Sequence, residues 1–179
     1  MPVLLPIRDD DHTRGNPLAP ITLVEFGDYE CPGCGEAYWI IREIEEKMGP
    51  RLRFVFRHYA FARLHPHAEL AAEAAEAAGA QNKFWEMHDV LFENRSALKK
   101  KDLKSYAARI GLDLDRFASE LNSETHLEKV REDFRTGVQS GVYGTPSLFI
   151  NGVRHNGDYA LSTLLPALNA SREMIGEGK

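Results

Sequence analysis

The chain has 179 residues, 43% hydrophobic and 27% charged, with a formal net charge of −5. That length suits one domain with a sizeable core. The acidic balance argues against a nucleic-acid partner, and no run approaches the ~20 apolar residues that a membrane-spanning helix needs.

Residues 1–20 read as an irregular extension rich in proline and charge, with Val3–Leu5 a candidate edge strand and Gly15-Asn16-Pro17 and Pro20 marking a loop. The first residues lack the basic segment and apolar length of a signal peptide. The expected location is therefore the cytoplasm, or outside it if a leader has been removed. Ile21–Phe26 is apolar apart from Thr22 and Glu25, a pattern that suits a strand buried on both faces. A polar turn leads to Cys31-Pro32-Gly33-Cys34, and an amphipathic helix follows. Ala37, Ile41, Ile44 and Met48 recur on one side, and Gly49-Pro50 stops the helix. Pro32 suits the first helical turn, where its missing N–H costs nothing.

Arg51–Arg57 alternates with Leu52, Phe54 and Phe56 on one face, a second strand. Strand, helix and strand at this length make a βαβ unit with parallel strands. Five helices are then expected, at about 67–78, 82–93, 102–110, 113–121 and 125–140. The last carries an apolar stripe of Leu127, Val130, Phe134 and Val138. Ser147–Ile150, the turn Asn151-Gly152 and Val153–His155 read as a type I′ hairpin. A final helix is expected over 163–174, with Pro166 tolerable only if the helix starts at Ser162 or Thr163.

The chain's two cysteines form its Cys-x-x-Cys pair. A thiol at a helix start meets free N–H groups and a partial positive charge that favour the thiolate, the attacking species in disulfide exchange. Cys31 is therefore the candidate nucleophile, and Cys34, one turn inside, the buried resolving thiol. A zinc site is the bland alternative. Zinc normally takes three or four protein ligands, but there is no second cysteine pair, and His65-Pro66-His67 is the only close pair among seven histidines. No metal is expected. Asp28 and Glu30 lie close to Cys31 in sequence and are expected to oppose its thiolate as like charges. Tyr29, Tyr38 and Trp39 are candidates for an apolar rim, although core positions suit them as well.

The phrase Val24-Glu25-Phe26-Gly27-Asp28-Tyr29-Glu30-Cys31-Pro32-Gly33-Cys34, between a strand and a helix, resembles the active-site unit of the thioredoxin superfamily, and of its DsbA-like branch in particular. The resemblance runs from about Asp11 to Leu168. It includes the thioredoxin-like domain appended to some bacterial sodium/proton antiporters. It implies an α/β thioredoxin fold, βαβ…ββα, at 21–62 and 142–175, with an all-helical subdomain inserted at 63–141. It implies a cis peptide bond at Thr145-Pro146, opposite the dithiol. Thr145 and Pro146, with Pro32 and Gly33, would then bind substrate. It also implies a buried acid at Glu25 beneath the resolving thiol, able to accept the Cys34 proton. Glu25 could instead face solvent or pair with Arg53 or Arg57.

The expected activity is thiol–disulfide exchange with protein or peptide thiols and an unidentified redox partner, with no cofactor beyond the Cys31–Cys34 couple. Strongly oxidising members carry histidine where this chain has Gly33, so a weaker oxidant is expected. Two rivals remain. One is a transferase or isomerase of the same fold that uses a low-molecular-weight thiol, which the intact pair counts against. The other is a metal-binding or chaperone-like module.

Overall fold

A computed structural model describes residues 4–176. Five strands form one mixed sheet: β1 (His12–Gly15), β2 (Ile21–Gly27), β3 (Leu52–His58), β4 (Ser147–Ile150) and β5 (Val153–Arg154), in the order β1-β3-β2-β4-β5. β2 and β3 are parallel, joined through α1 (Pro32–Met48), and the other pairings are antiparallel. Helices α2 (Ala68–Gly79), α3 (Phe84–Glu93), α4 (Lys100–Arg109), α5 (Leu114–Asn122) and α6 (Leu127–Gln139) lie between β3 and β4, and α7 (Leu161–Gly176) closes the chain.

The two central strands are apolar on both faces, and each face has its own core. Ile21, Leu23, Phe54 and Phe56 pack with Ala37, Ile41 and Ile44 of α1 and Leu164 and Leu168 of α7. Val24, Phe26, Val55 and Phe149 pack with Tyr59, Val142 and the partly buried Phe134 of α6. Glu25 has the same parity as Leu23, so the strand delivers it to the α1 face. The alanines of α2 are its buried surface, which lets α3 and α5 approach it closely.

Three sequence expectations change. The edge strand is β1, where His12 pairs with Phe56 and Gly15 with Arg53. Of the candidate Val3–Leu5, Val3 lies outside the described residues. Leu4 and Leu5 form no strand, although the Leu4 N–H donates to Gly152 O at 3.0 Å. The α6 stripe is rotated, so that Val138 is 54% exposed while Asp133, Thr136 and Gly137 are buried. Finally, α7 begins earlier, at Leu161, and Pro166 sits inside it on the exposed side, where solvent can serve the carbonyl it leaves unbonded. The hairpin turn has positive φ at both Asn151 (49°) and Gly152 (83°), as a type I′ turn requires.

Candidate active site

Cys31 is the N-cap residue of α1, with extended backbone angles and Pro32 behind it at the first helical position. Its sulfur lies over the N–H groups of Gly33 and Cys34 in the first helical turn. Cys34 is one turn inside and fully buried, while Cys31 retains 8% exposure, and both are free thiols. The Asp28 N–H donates to Cys34 Sγ at 3.4 Å, and the Asp28 carbonyl accepts the Cys31 N–H at 3.2 Å. One residue of the preceding turn therefore touches both halves of the pair through its main chain.

Across from Cys31 lies the loop between α6 and β4. Its Thr145–Pro146 bond is cis, and the Thr145 carbonyl oxygen lies 3.5 Å from Cys31 Sγ. Gly33 faces the same loop, and a Cβ added there would lie 3.2 Å from the Pro146 ring. Pro32 is exposed, whereas Gly33, Thr145 and Pro146 are half-buried.

The two thiols are driven apart in acidity. A hydrogen bond from Cys34 is the main reason that Cys31 is lowered to about 5. Burial works against this, and bonds from Thr145 and from the N–H groups of Cys34 and Gly33 add to it. Cys34 is pushed well above the usual thiol range by burial, by its bond to Cys31 and by the charge of Glu25. Glu25 is buried beneath the pair at 1% exposure, and its Oε1 has no hydrogen-bond partner. Burial, then the charge of Cys31, pushes its carboxyl up to about 8. It does not face solvent, and among the described residues it pairs with no arginine. Arg57 is taken by Asp11, at 2.6 and 2.9 Å, and by the carbonyls of Leu5 and Pro6.

The structure gives Asp28 and Glu30 partners that the sequence did not show. Both carboxylates are held by the segment that follows β3. Asp28 Oδ2 accepts the Phe61 N–H at 3.0 Å and His65 Nδ1 at 2.8 Å. Glu30 accepts the His67 N–H at 2.7 Å and His67 Nδ1 at 2.8 Å. The two histidines that sequence reading weighed only as metal ligands are therefore part of the thiol site. Their two-residue spacing was the available signal, but it does not say which turn they dock on. Of the rim candidates, Tyr29 and Tyr38 belong to the aromatic core and Trp39 is 59% exposed. Exposed Phe61, Leu64 and Tyr143 were not anticipated. Tyr159 was also missed, and its hydroxyl donates to Glu36 at 2.7 Å beside Gly33.

Among the described residues, the donors close enough to suggest a cation site are His58, Glu76 and Asp133, and neither cysteine is among them. Positive or donor groups already serve that cluster: His12 on Glu76, and Arg8 and Lys129 on Asp133.

Residues 8–170 match the family described as Thioredoxin. The chain is 44% identical over 170 residues to a Na(+)/H(+) antiporter NhaA 1 of Salinispora arenicola, across 94% of this chain and 26% of that protein. It is 42% identical over 180 residues to a Na(+)/H(+) antiporter NhaA 3 of Salinispora tropica, across 98% and 28%. It thus spans about a quarter of the length of these curated relatives. Among solved structures it is similar to oxidised BdbD from Bacillus subtilis, with a TM-score of 0.84, 22% identity and coverage of 96% and 97%. It is also similar to a thioredoxin-like oxidoreductase from Silicibacter pomeroyi, with a TM-score of 0.82, 25% identity and coverage of 93% and 94%. Wolbachia pipientis alpha-DsbA1 follows at 0.81 and 21%, with coverage of 98% of both chains.

Proposed function

The chain belongs to the thioredoxin family, and on that premise we propose that it exchanges disulfides with protein or peptide substrates through Cys31 and Cys34. The observation that carries the reading is the split between the two thiols: one lowered to about 5 at the helix start, the other buried and raised. The Cys31 thiolate attacks a substrate disulfide, forming a Cys31–substrate bond and releasing one substrate thiolate. Cys34 gives up its proton to the ionised form of Glu25 and attacks Cys31 Sγ, which releases the second substrate thiolate and leaves the Cys31–Cys34 disulfide. The substrate is reduced and the pair oxidised; the reverse sequence oxidises a dithiol. Glu25 is the acid or base for Cys34. Held up to about 8, it is protonated at neutral pH and can give its proton to the departing Cys34 sulfur in the oxidising direction. Thr145, Pro146, Pro32 and Gly33 form the surface against which the substrate chain lies.

In the longer antiporter relatives the matched segment is about a quarter of the protein. We assign it the thiol chemistry. Among the described residues, no helix is long and apolar enough to cross a membrane.

The test is exchange with a peptide disulfide. Wild type should turn over, Cys31→Ser should be inert, and Cys34→Ser should accumulate mixed disulfides. Faster alkylation of Cys34 than of Cys31 in the native reduced protein, or absence of exchange by wild type, would overturn the reading.

A further inference from the structure

We infer that His65 is a positioning residue for the thiol pair, acting through Asp28. The inference rests on the proposed disulfide exchange and adds to it a residue from outside the Cys-x-x-Cys unit.

The Asp28 side chain is completely buried. It accepts three hydrogen bonds: from Glu30 N–H at 2.8 Å, Phe61 N–H at 3.0 Å and His65 Nδ1 at 2.8 Å. The first is local to the turn. The other two come from the segment after β3, so they fasten that segment to the turn. An ionised carboxylate only accepts, so Nδ1 of His65 carries the proton in this contact. The Asp28 main chain faces the other way, with its N–H on Cys34 Sγ and its carbonyl on the Cys31 N–H. His65, Asp28 and the two cysteines thus form one continuous chain of contacts.

Two consequences follow from losing His65. A buried carboxylate loses a donor, and leaving such a group short of partners destabilises its surroundings. The carboxylate also becomes less balanced, on a residue whose main chain touches both cysteines; a like charge disfavours the thiolate. The other charged groups near Cys31 do not take over this role. Glu25 is raised to about 8 by burial and by the charge of Cys31, so it carries a proton near neutral pH. Glu30 has its own partner in His67 and is 21% exposed, so solvent screens it. His67 should therefore matter less than His65.

The experiment measures thiolate absorbance against pH and the reduction potential against glutathione. It compares wild type with His65→Ala, His67→Ala, Asp28→Asn and the Asp28→Asn/His65→Ala double variant. His65→Ala should raise the Cys31 midpoint and lower the potential. A one-unit rise would cut the thiolate fraction below the midpoint about tenfold. His67→Ala should move both less. The double variant should return toward Asp28→Asn, because the charge that needed balancing is gone. A purely structural role would leave the double variant as perturbed as His65→Ala, and that outcome overturns the inference. So does an unmoved midpoint in His65→Ala. If His65→Ala does not fold, a midpoint in the double variant above that of Asp28→Asn overturns it, and equal midpoints support it. Wild type that exchanges disulfides while the variants stay unmoved refutes only this inference. Wild type that does not exchange at all refutes the proposed function.

Discussion

Cys34 acts on Cys31 before any substrate arrives. Its hydrogen bond is the largest reason that the Cys31 thiol is lowered to about 5. Serine in its place still offers a donor of similar reach, whereas alanine offers none. Cys34→Ala should therefore raise the Cys31 midpoint by about one unit or more, the scale of a charge-assisted hydrogen bond, and Cys34→Ser should raise it less. Ultraviolet titration of the thiolate checks this, and equal midpoints in the two variants would refute it. The cysteines were legible in the sequence because their spacing and the helix start are local features. The buried place of Glu25 came only from the family resemblance, because an acid in an apolar strand could equally have faced solvent or paired with Arg53 or Arg57. The partners of Asp28 and Glu30 were not legible. They lie 37 residues away in sequence, and charge proximity along the chain did not reveal them.

At the level of elements, the contact between α6 and β3 fastens the helices to the sheet face behind the site. Gly137 is the close point. A Cβ there would lie 2.7 Å from the Tyr59 ring and 3.1 Å from Phe26. Both rings are buried, and Tyr59 also donates to the Val142 carbonyl at 3.0 Å, so neither can yield freely. Gly137→Ala should destabilise the fold by about 1–3 kcal/mol, the range for overpacked cores, read as a lower denaturant midpoint with an unchanged slope. An unchanged midpoint would mean that α6 shifts without cost. Sequence periodicity found this helix but turned it, because its buried face includes Asp133 and Thr136, which a hydrophobic stripe cannot report. Asp133 is buried because it accepts the His58 N–H at 3.2 Å and bonds to Lys129 at 2.7 Å. β1 was missed for a related reason. His12–Gly15 has no apolar run, and only its pairing with β3 makes it a strand. The central strands and α1 were plain because local pattern and burial agree there.

For the whole molecule, the buried ionisable groups set opposing pH dependences. Burial pushes Asp11 and Glu76 up, but their partners outweigh it: Arg57 and Arg8 for Asp11, His12 and His58 for Glu76. Both carboxyls are held below their ordinary values of 3.8 and 4.5. In acid the unfolded chain takes up protons there before the native one does. Their contribution is full above about pH 4.5 and is lost as pH falls through the native values. Glu25 works the other way. Raised by burial from 4.5 to about 8, it keeps its proton in the native state while the unfolded chain has lost it. Stability therefore falls as pH rises through that window, by up to roughly 5 kcal/mol at 1.36 per unit. Glu73, raised by burial from 4.5 to about 7, adds to the fall. The Cys31 thiol opposes both. Lowered from 9.0 to about 5, it binds fewer protons natively than unfolded, so stability rises with pH between those values. In the reduced protein the rise and the falls largely offset each other. The disulfide form has no Cys31 thiol to titrate, yet burial still holds Glu25 up. Denaturant melts of the disulfide form should therefore lose stability between pH 5 and 8, while those of the reduced form stay comparatively flat. Glu25→Gln should remove most of the loss from the disulfide form. A disulfide form as flat as the reduced one, or a Glu25→Gln profile that still falls like wild type, would show that Glu25 does not retain its proton in the native state.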